Sequence, residues 1–271
     1  MIKQAIIPLA GLGTRLLPLT SVFAKELLPI NGKPGIEYIL DECINAGIKE
    51  VIFIISKKKL MIKNYFYNDK FYKDIIKKKK DQRIIKEYKK ILKYKKMIKF
   101  VYQNQPKGTG DAVLRCKRFI KNKFFLMLLP DDLIIKKNCT KEMIKLHNKT
   151  KSSIIATKRV DRKTVSRWGI LSIKNKNKNY FQINDVIEKP NIKVAPSNYA
   201  IIGRYILPVN IFDEIKKLKP GQGGEIHITD AIRNLILKGN NFFGNIFKGK
   251  YLDCGTINGY IQSGIQIFKG K

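Results

Sequence analysis

Two short segments near the start of the chain combine glycines with cations in a pattern suited to holding a polyphosphate. The first is Ala10-Gly-Leu-Gly-Thr-Arg15-Leu-Leu-Pro18, and the second is Lys25-Glu-Leu-Leu-Pro29. Glycine permits a positive φ and a close approach of the backbone to a ligand, and clustered backbone N–H groups form an anion-binding nest. Because Arg15 and Lys25 add positive charge beside such a nest, the two segments predict a polyphosphate site.

The spacing within the first segment excludes two common phosphate-binding loops. Thr14 follows Gly13 directly, so the third glycine of the dinucleotide-binding fingerprint is missing, and no Gly-Lys-Ser/Thr ending marks a P-loop. A bare Gly-x-Gly is also typical of a tight turn after a strand, here the apolar run from Ile2 to Pro8. The extended pattern G-x-G-T-R-x-x-P with a following K-E-x-x-P is much more specific than such a turn.

Carboxylates end two apolar stretches that lie far apart in the chain. Asp131 and Asp132 close one stretch, and Asp253 closes the other beside a glycine. Carboxylate oxygens suit a hard cation such as Mg²⁺, which keeps substrate phosphates in its coordination shell, and two carboxylates on one metal are common in phosphoryl transfer. A turn explains the first pair equally well, and the sequence does not show whether the two sites meet.

Gln103 and Gly108 follow a further predicted strand and open a helix. A glutamine amide has both donors and acceptors, which suits reading the edge of a base, and a glycine lets a planar base lie against the backbone. A polar turn with Thr109 as helix cap is the alternative interpretation. Another strand closes with Glu188 and Lys189, which could bind a sugar hydroxyl and a sugar phosphate or could form a surface ion pair.

Strand and helix patterns alternate over the first 160 residues. The predicted strands are Ile2–Pro8, Val51–Ser56, Ile98–Gln103, Phe124–Leu129 and Ile154–Thr157, and the predicted helices span 34–46, 109–118 and 140–149. This alternation predicts an α/β fold with a doubly wound, mostly parallel (Rossmann-like) sheet. Ligands of such sheets bind at the carboxyl ends of strands, where Gly11, Gln103 and Asp131 all fall.

The remaining segments depart from that alternation. The Lys- and Tyr-rich stretch 57–96 predicts one or two solvated helices at the edge of the sheet. Residues 166–205 show shorter runs between Asn/Lys turns, which predicts a smaller antiparallel addition that forms a second wall of the cleft. Further helices are predicted at 213–218 and 229–237.

The composition is strongly basic, with a formal net charge of +34 over 271 residues. The lysines are spread along the whole chain together with many Ile, Asn, Tyr and Phe, which favours an AT-rich coding bias over a nucleic-acid interface, and no nucleic-acid-binding motif is present. The apolar runs are too short for a membrane helix, and the four cysteines form no close pair. We therefore expect a cytoplasmic protein with no nucleic-acid or membrane partner.

Taken together, the motifs resemble the sugar-1-phosphate nucleotidylyltransferases, and within them the bacterial UTP–glucose-1-phosphate uridylyltransferases. The resemblance covers nearly the whole chain in order. Its segments are Ala10–Pro18, Lys25–Pro29, Gln103 with Lys107–Val113, Leu129–Asp131, Trp168-Gly169, Ile187–Pro190, Ala195–Asn198, Gly203–Tyr205, Glu225–Ala231 and Asp253–Gly255. Four positions depart from the usual pattern of that family, namely Ala24, Asp111, Trp168 and Gly224.

The resemblance implies a doubly wound fold, a Mg²⁺ cofactor, a homo-oligomer, and the formation of UDP-glucose and pyrophosphate from UTP and glucose 1-phosphate. It implies one nucleotidyltransferase domain over residues 1–271, with a nucleotide-binding part at 1–160 and a sugar-binding part at 161–271. The implied catalytic residues are Arg15, Lys25 and Lys189. The implied nucleotide-binding residues are Ala10, Gly11, Gly13, Thr14, Gln103, Gly108 and Asp131; the sugar-phosphate residues are Gly169, Glu188 and Lys189; the metal ligands are Asp131 and Asp253.

Two alternatives stay open at this point. Asp253-Cys-Gly-Thr256 is reminiscent of thymidylyltransferases, so a related enzyme that uses dTTP or another sugar 1-phosphate remains possible. A non-catalytic protein that binds sugar nucleotides is the second alternative, against which the presence of Lys25, Asp131 and Lys189 argues. A sugar phosphate is already anionic near neutral pH, so the implied reaction needs no general base.

Overall fold

A computed structural model describes residues 2–270 of the chain. Thirteen strands form one large sheet and two small two-stranded sheets. In chain order they are β1 (Gln4–Pro8), β2 (Pro29–Ile30), β3 (Lys33–Pro34), β4 (Glu50–Ile55), β5 (Ile98–Tyr102), β6 (Phe124–Leu128), β7 (Asp132–Ile135), β8 (Ser153–Arg159), β9 (Gly169–Lys174), β10 (Tyr180–Glu188), β11 (Tyr199–Pro208), β12 (Phe242–Ile246) and β13 (Lys250–Asp253).

The α-helices of the described chain lie mostly between these strands. They are α1 (Gly35–Asn45), α2 (Leu60–Tyr67), α3 (Asp69–Lys79), α4 (Gln82–Met97), α5 (Gly108–Leu114), α6 (Cys139–Thr150), α7 (Ile211–Lys217), α8 (Ile228–Leu237) and α9 (Ile257–Lys269). No helix among residues 2–270 is long and apolar enough to cross a membrane.

The large sheet is mixed. Its nine strands run in the order β5-β4-β1-β6-β11-β8-β12-β10-β9. The strands β5, β4, β1 and β6 are mutually parallel, and β12 is parallel to β8. In contrast, β11 is antiparallel to both β6 and β8. The strand β10 is likewise antiparallel to both β12 and β9. The parallel pairing that the sequence predicts is therefore present among β5, β4, β1 and β6 and between β8 and β12. The sheet is mixed because β11, in its middle, runs opposite to both of its neighbours.

Buried side chains cover both faces of this sheet. Along β1, Ala5 and Ile7 belong to one apolar cluster and Ile6 to the other, as expected where successive side chains point to opposite faces. Residues of α1, α2, α4 and α6 complete the first cluster, and residues of α5, α7 and α8 complete the second. A strand buried on both faces reads as a continuous apolar run, which is why the sequence predicted these strands.

The Lys-rich segment differs from the prediction. It forms the three helices α2, α3 and α4 instead of one or two, and it is not wholly solvated, since Ile62, Phe66, Ile91 and Tyr94 are buried against the sheet. Lysine dominates the composition of the segment, but the apolar residues recur at helical spacing and supply a packing face. The predicted antiparallel region is confirmed as β9, β10 and β11.

Candidate active site

The parallel half of the sheet brings three predicted loops to one edge. Gly11 follows β1, Gln103 follows β5, and Asp131 follows β6, and strands that run in the same direction end at the same edge. A first cavity of about 220 Å³ lies there, with Ala10, Gly11, Lys25, Gln103, Gly108 and Asp131 among its lining residues. Ala10 and Asp131 lie far apart in the sequence, and the fold brings them to the same cavity.

A second cavity, of about 180 Å³, adjoins the first. Arg15, Asp131, Gly169, Glu188 and Asp253 are among its lining residues. Asp131 lines both cavities, so a ligand in one cavity would meet a ligand in the other beside this carboxylate. Such an arrangement can hold two anionic reactants next to each other, with charged side chains at the junction.

Two cations converge on Asp131. The Nζ of Lys25 lies 2.8 Å from the Oδ2 of Asp131, and an Nη of Arg15 lies 3.5 Å from the same oxygen. Burial would raise the pKa of Asp131, but the charge and hydrogen bond of Lys25, a backbone hydrogen bond and the charge of Arg15 together lower it. Burial likewise opposes the charge of Lys25, yet Asp131 and Glu26 together raise the pKa of this lysine. Both groups are therefore charged at neutral pH.

Asp253 reaches Asp131 through the small sheet formed by β7 and β13. Asp253 is paired with Asp132 in the register of these strands, and the backbone N–H of Cys254 donates to the carbonyl of Asp131 at 2.8 Å. A Cβ added at Gly255 would lie 2.9 Å from Asp131 Oδ2, 3.0 Å from Arg15 Nη2 and 3.2 Å from Asp253 Oδ1. Two carboxylate oxygens and one guanidinium nitrogen thus border one small space that a side chain would fill.

This space fits a hard cation bound together with phosphates. Carboxylate oxygens are the ligands that Mg²⁺ prefers, and Mg²⁺ commonly takes one or two carboxylates and completes its shell with water and phosphate oxygens. Within residues 2–270, no three His, Cys, Asp or Glu side chains are placed to hold a metal ion by themselves. Asp131 and Asp253 would therefore hold a divalent metal only with help from a bound phosphate or water.

A buried ion pair between Lys59 and Glu26, which the sequence analysis did not predict, is bonded to the backbone at the start of the loop after β1. The Nζ of Lys59 donates to both oxygens of Glu26 at 2.9 Å and to the carbonyl of Leu9 at 2.8 Å. Burial lowers the pKa of Lys59, although Glu26 opposes this effect. Lys59 stands in a run of three lysines, so nothing in the sequence distinguished it from its exposed neighbours.

The second cavity is built where β9 and β10 pair. Gly169 lies opposite Glu188 in this register, and the Oγ1 of Thr229 donates to Glu188 at 3.0 Å. Three predicted site residues, Gly13, Thr14 and Lys189, are not among the described residues that line either cavity. The Lys189 side chain is 44% exposed, with its Nζ 3.9 Å from Glu188.

The lining of the second cavity includes Asp132, which the sequence analysis offered only as one of a carboxylate pair with Asp131, and Tyr251, which it did not assign. Tyr251 donates to one oxygen of Asp132 at 2.7 Å, and the backbone N–H of Gly203 donates to the other at 3.0 Å. Burial and the neighbouring Asp131 raise the pKa of Asp132 to about 6. Tyr251 stands two residues before Asp253, a predicted metal ligand, and this proximity was the only signal for it in the sequence.

Gly108 lines the first cavity where the backbone approaches another segment closely. It has φ +94°, and an added Cβ would lie 2.6 Å from the carbonyl oxygen and 2.8 Å from the nitrogen of Ile226. Gly239 has a similar φ of +86°, but an added Cβ there would meet nothing within 4 Å. A side chain at either glycine would strain the backbone, but only a side chain at Gly108 would also clash with a neighbouring segment.

Replacing Gly108 with alanine should destabilise the fold more than the same change at Gly239. The left-handed backbone costs an alanine about 1–2 kcal/mol at either position, and overpacking against Ile226 should add about 1–3 kcal/mol at Gly108. Urea denaturation of both variants measures the difference in the free energy of unfolding. Equal losses would show that the contact with Ile226 relaxes at no cost.

The chain is similar to known proteins over nearly its whole length. A profile of the nucleotidyl transferase family matches residues 4–269, and the chain belongs to this family. Among the relatives, UTP–glucose-1-phosphate uridylyltransferase 1 of Staphylococcus saprophyticus is 38% identical over 266 residues, which cover 98% of this chain and 92% of that protein. The UTP–glucose-1-phosphate uridylyltransferase of Streptococcus pyogenes is 36% identical over 270 residues, which cover 97% and 88% of the two proteins.

Solved structures agree with these relatives. A UDP-glucose pyrophosphorylase crystallised with UDP-glucose superposes with a TM-score of 0.88 at 36% identity, and the match covers all of both chains. The UTP-bound enzyme from Acinetobacter baumannii superposes with a TM-score of 0.89 at 30% identity, over 98% of this chain and 93% of that one. The family resemblance read from the motifs is thereby confirmed.

Proposed function

We propose that this protein transfers the uridylyl group of UTP to glucose 1-phosphate and so forms UDP-glucose and pyrophosphate. The observation that carries the proposal is the pair of adjoining cavities that share Asp131. Relatives that match nearly the whole chain are named for this reaction, and a neighbouring structure holds its product.

The first cavity takes the nucleotide. Ala10 and Gly11 hold it through backbone atoms, Gly13 and Thr14 shape the turn beside its phosphates, and Gln103 and Gly108 contact the base. The second cavity takes glucose 1-phosphate, with Gly169 and Glu188 on the sugar. Lys189 follows Glu188 directly and has an exposed side chain, which leaves its ammonium free to reach the sugar phosphate.

The chemistry follows from the charges on the two reactants. A phosphate oxygen of glucose 1-phosphate bonds to the α-phosphorus of UTP, the bond from that phosphorus to the bridging oxygen breaks, and pyrophosphate leaves with the electron pair. The attacking oxygen already carries negative charge, so no proton needs to be removed. The obstacle is the approach of two anions, which positioning and preorganised positive charge overcome.

Arg15 and Lys25 supply that positive charge at the junction of the cavities, where both approach Asp131. Lys189 aligns the attacking phosphate. Asp131 and Asp253 would hold Mg²⁺, which neutralises charge on the phosphate oxygens when it is bound.

We further propose that residues 1–160 supply the nucleotide side of the site and residues 161–271 the sugar side, within one domain. The protein works in the cytoplasm, which is consistent with four buried free cysteines. It works as a homo-oligomer, for which α9 offers an exposed apolar stripe of Ile257, Ile261, Ile265 and Phe268. Light scattering of the full chain would measure its mass, and a monomer at micromolar concentration would contradict the last point.

The test of the main proposal is pyrophosphate release from UTP and glucose 1-phosphate, with and without Mg²⁺, and with dTTP in place of UTP. We expect release that depends on the metal and is faster with UTP. Faster release with dTTP would instead favour the thymidylyltransferase alternative. Absence of release with either nucleotide, from folded protein, would favour the non-catalytic alternative.

A further inference from the structure

The side-chain amide of Gln103 has a defined orientation in the first cavity. Its Nε2 donates to the carbonyl of Gly108 at 3.1 Å and to the Oδ2 of Asp111 at 2.7 Å. A backbone carbonyl and a carboxylate accept hydrogen bonds and cannot donate them. Only the NH₂ end of the amide can satisfy both partners, so the two ends of Gln103 are not interchangeable here.

Asp111 is itself held in place. The guanidinium of Arg115, one helical turn later on α5, donates to both oxygens of Asp111 at 3.0 and 3.3 Å. The Asp111 side chain is 15% exposed, whereas that of Arg115 is 38% exposed. The order Arg115–Asp111–Gln103 therefore runs from the surface to the wall of the cavity, and each member sets the orientation of the next.

The other end of the amide is left for a ligand. Gln103 is 4% exposed and lines the first cavity, and no protein donor in the described chain is paired with its Oε1. A nucleotide base placed against Gln103 therefore meets a hydrogen-bond acceptor. Uracil and thymine carry a hydrogen on ring nitrogen N3, whereas cytosine has a lone pair at this position.

We propose that Asp111 is a specificity-determining residue, which orients Gln103 so that the cavity selects bases with a donor on the ring nitrogen and rejects cytosine. The inference rests on the proposed function insofar as the first cavity takes the nucleotide. Asp111 acts through Gln103 and is a positioning residue.

The test compares equilibrium binding of UTP and CTP, measured by calorimetry on the full chain with Mg²⁺ present. Asparagine at position 111 has nearly the same shape but can both donate and accept. In Asp111→Asn only the Gly108 carbonyl, at 3.1 Å, still distinguishes the two ends of the Gln103 amide, because the shorter, charge-assisted bond to the carboxylate is lost. We expect the ratio of UTP to CTP affinity to fall at least about tenfold, since an unpaired or mismatched buried polar group is costly. An affinity ratio within twofold of the wild type would overturn the proposal.

Two further variants accompany Asp111→Asn, one as a control and one as a second test of the proposal. Asp213→Asn changes an aspartate on α7 that forms an exposed pair with Lys117, and it should leave the ratio unchanged. Arg115→Met removes the guanidinium that holds Asp111 and should lower the ratio of UTP to CTP affinity by a smaller factor than Asp111→Asn does. If Asp111→Asn does not fold, Arg115→Met takes its place in the test. An unchanged ratio in Arg115→Met would then overturn the proposal. Wild-type protein that binds CTP as tightly as UTP would overturn it as well.

Binding also separates this inference from the proposed reaction. Selective binding of UTP that falls in Asp111→Asn, without pyrophosphate release by the wild type, would contradict the proposed function and support the role of Asp111. Release of pyrophosphate by the wild type, with equal ratios of UTP to CTP affinity for Asp111→Asn and the wild type, would support the proposed function and contradict the role of Asp111.

Discussion

Replacing Lys25 with methionine is expected to lower kcat for pyrophosphate release by about 10²–10³-fold, the usual cost of losing one preorganised group that stabilises transition-state charge. Lys25 is the cation closest to Asp131, and its side chain is only 15% exposed. Because the raised pKa of Lys25 keeps its charge through neutral pH, the loss should be similar from pH 6 to pH 8. Methionine keeps the apolar stem, so the variant should fold.

A matched variant controls for the general removal of a lysine. Lys99 lies on β5 and pairs with Glu50, with a side chain 51% exposed, so Lys99→Met should leave kcat within twofold of the wild type. Thermal unfolding of both variants establishes that they are folded. A folded Lys25→Met protein with kcat near that of the wild type would remove Lys25 from the reaction.

Replacing Asp253 with asparagine is the second change with a large expected effect. Asparagine can still accept the hydrogen bond that the Gly255 N–H donates to Asp253 Oδ1 at 2.8 Å, so the turn should persist while one negative charge is lost. We expect the Mg²⁺ concentration for half-maximal rate to rise at least about tenfold, because a carboxylate is a far better ligand for this cation than an amide. A titration of pyrophosphate release with Mg²⁺ measures the shift.

The control for this variant is Asp161→Asn. Asp161 accepts from the backbone N–H of Lys163 at 2.9 Å and does not line either cavity in the described chain, so its replacement should leave the Mg²⁺ requirement unchanged. Equal Mg²⁺ requirements for Asp253→Asn and the wild type would contradict a metal-binding role for Asp253.

The strand-end residues could be predicted because their signals are local. An apolar run followed by glycine, glutamine or aspartate marks both the strand and the group that leaves its end, and Gly11, Gln103 and Asp131 were found in this way. The fold then placed all three around one cavity. Parallel strands with both faces covered make this outcome general, since they bring their carboxyl ends to one edge.

Strand direction in the middle of the sheet could not be predicted in the same way. β11 is buried on both faces, like the parallel strands beside it, so its composition does not reveal that it runs antiparallel to β6 and β8. The connection that precedes a strand determines its direction. That connection passes through β9 and β10, which pair with each other locally, but β10 also pairs with β12, a strand far along the chain.

By itself, the sequence determined which chemical groups this protein has and which of them follow strands: the glycine turn, Arg15 and Lys25, and the carboxylates at 131 and 253. Only the tertiary structure decided which groups meet, such as Asp131 with Asp253 across β7 and β13, or Lys59 with Glu26 beneath the first loop. The reason is physical. Residue type and local spacing act over a few residues, whereas a contact between distant segments depends on strand order and register, which the packing of the whole chain selects.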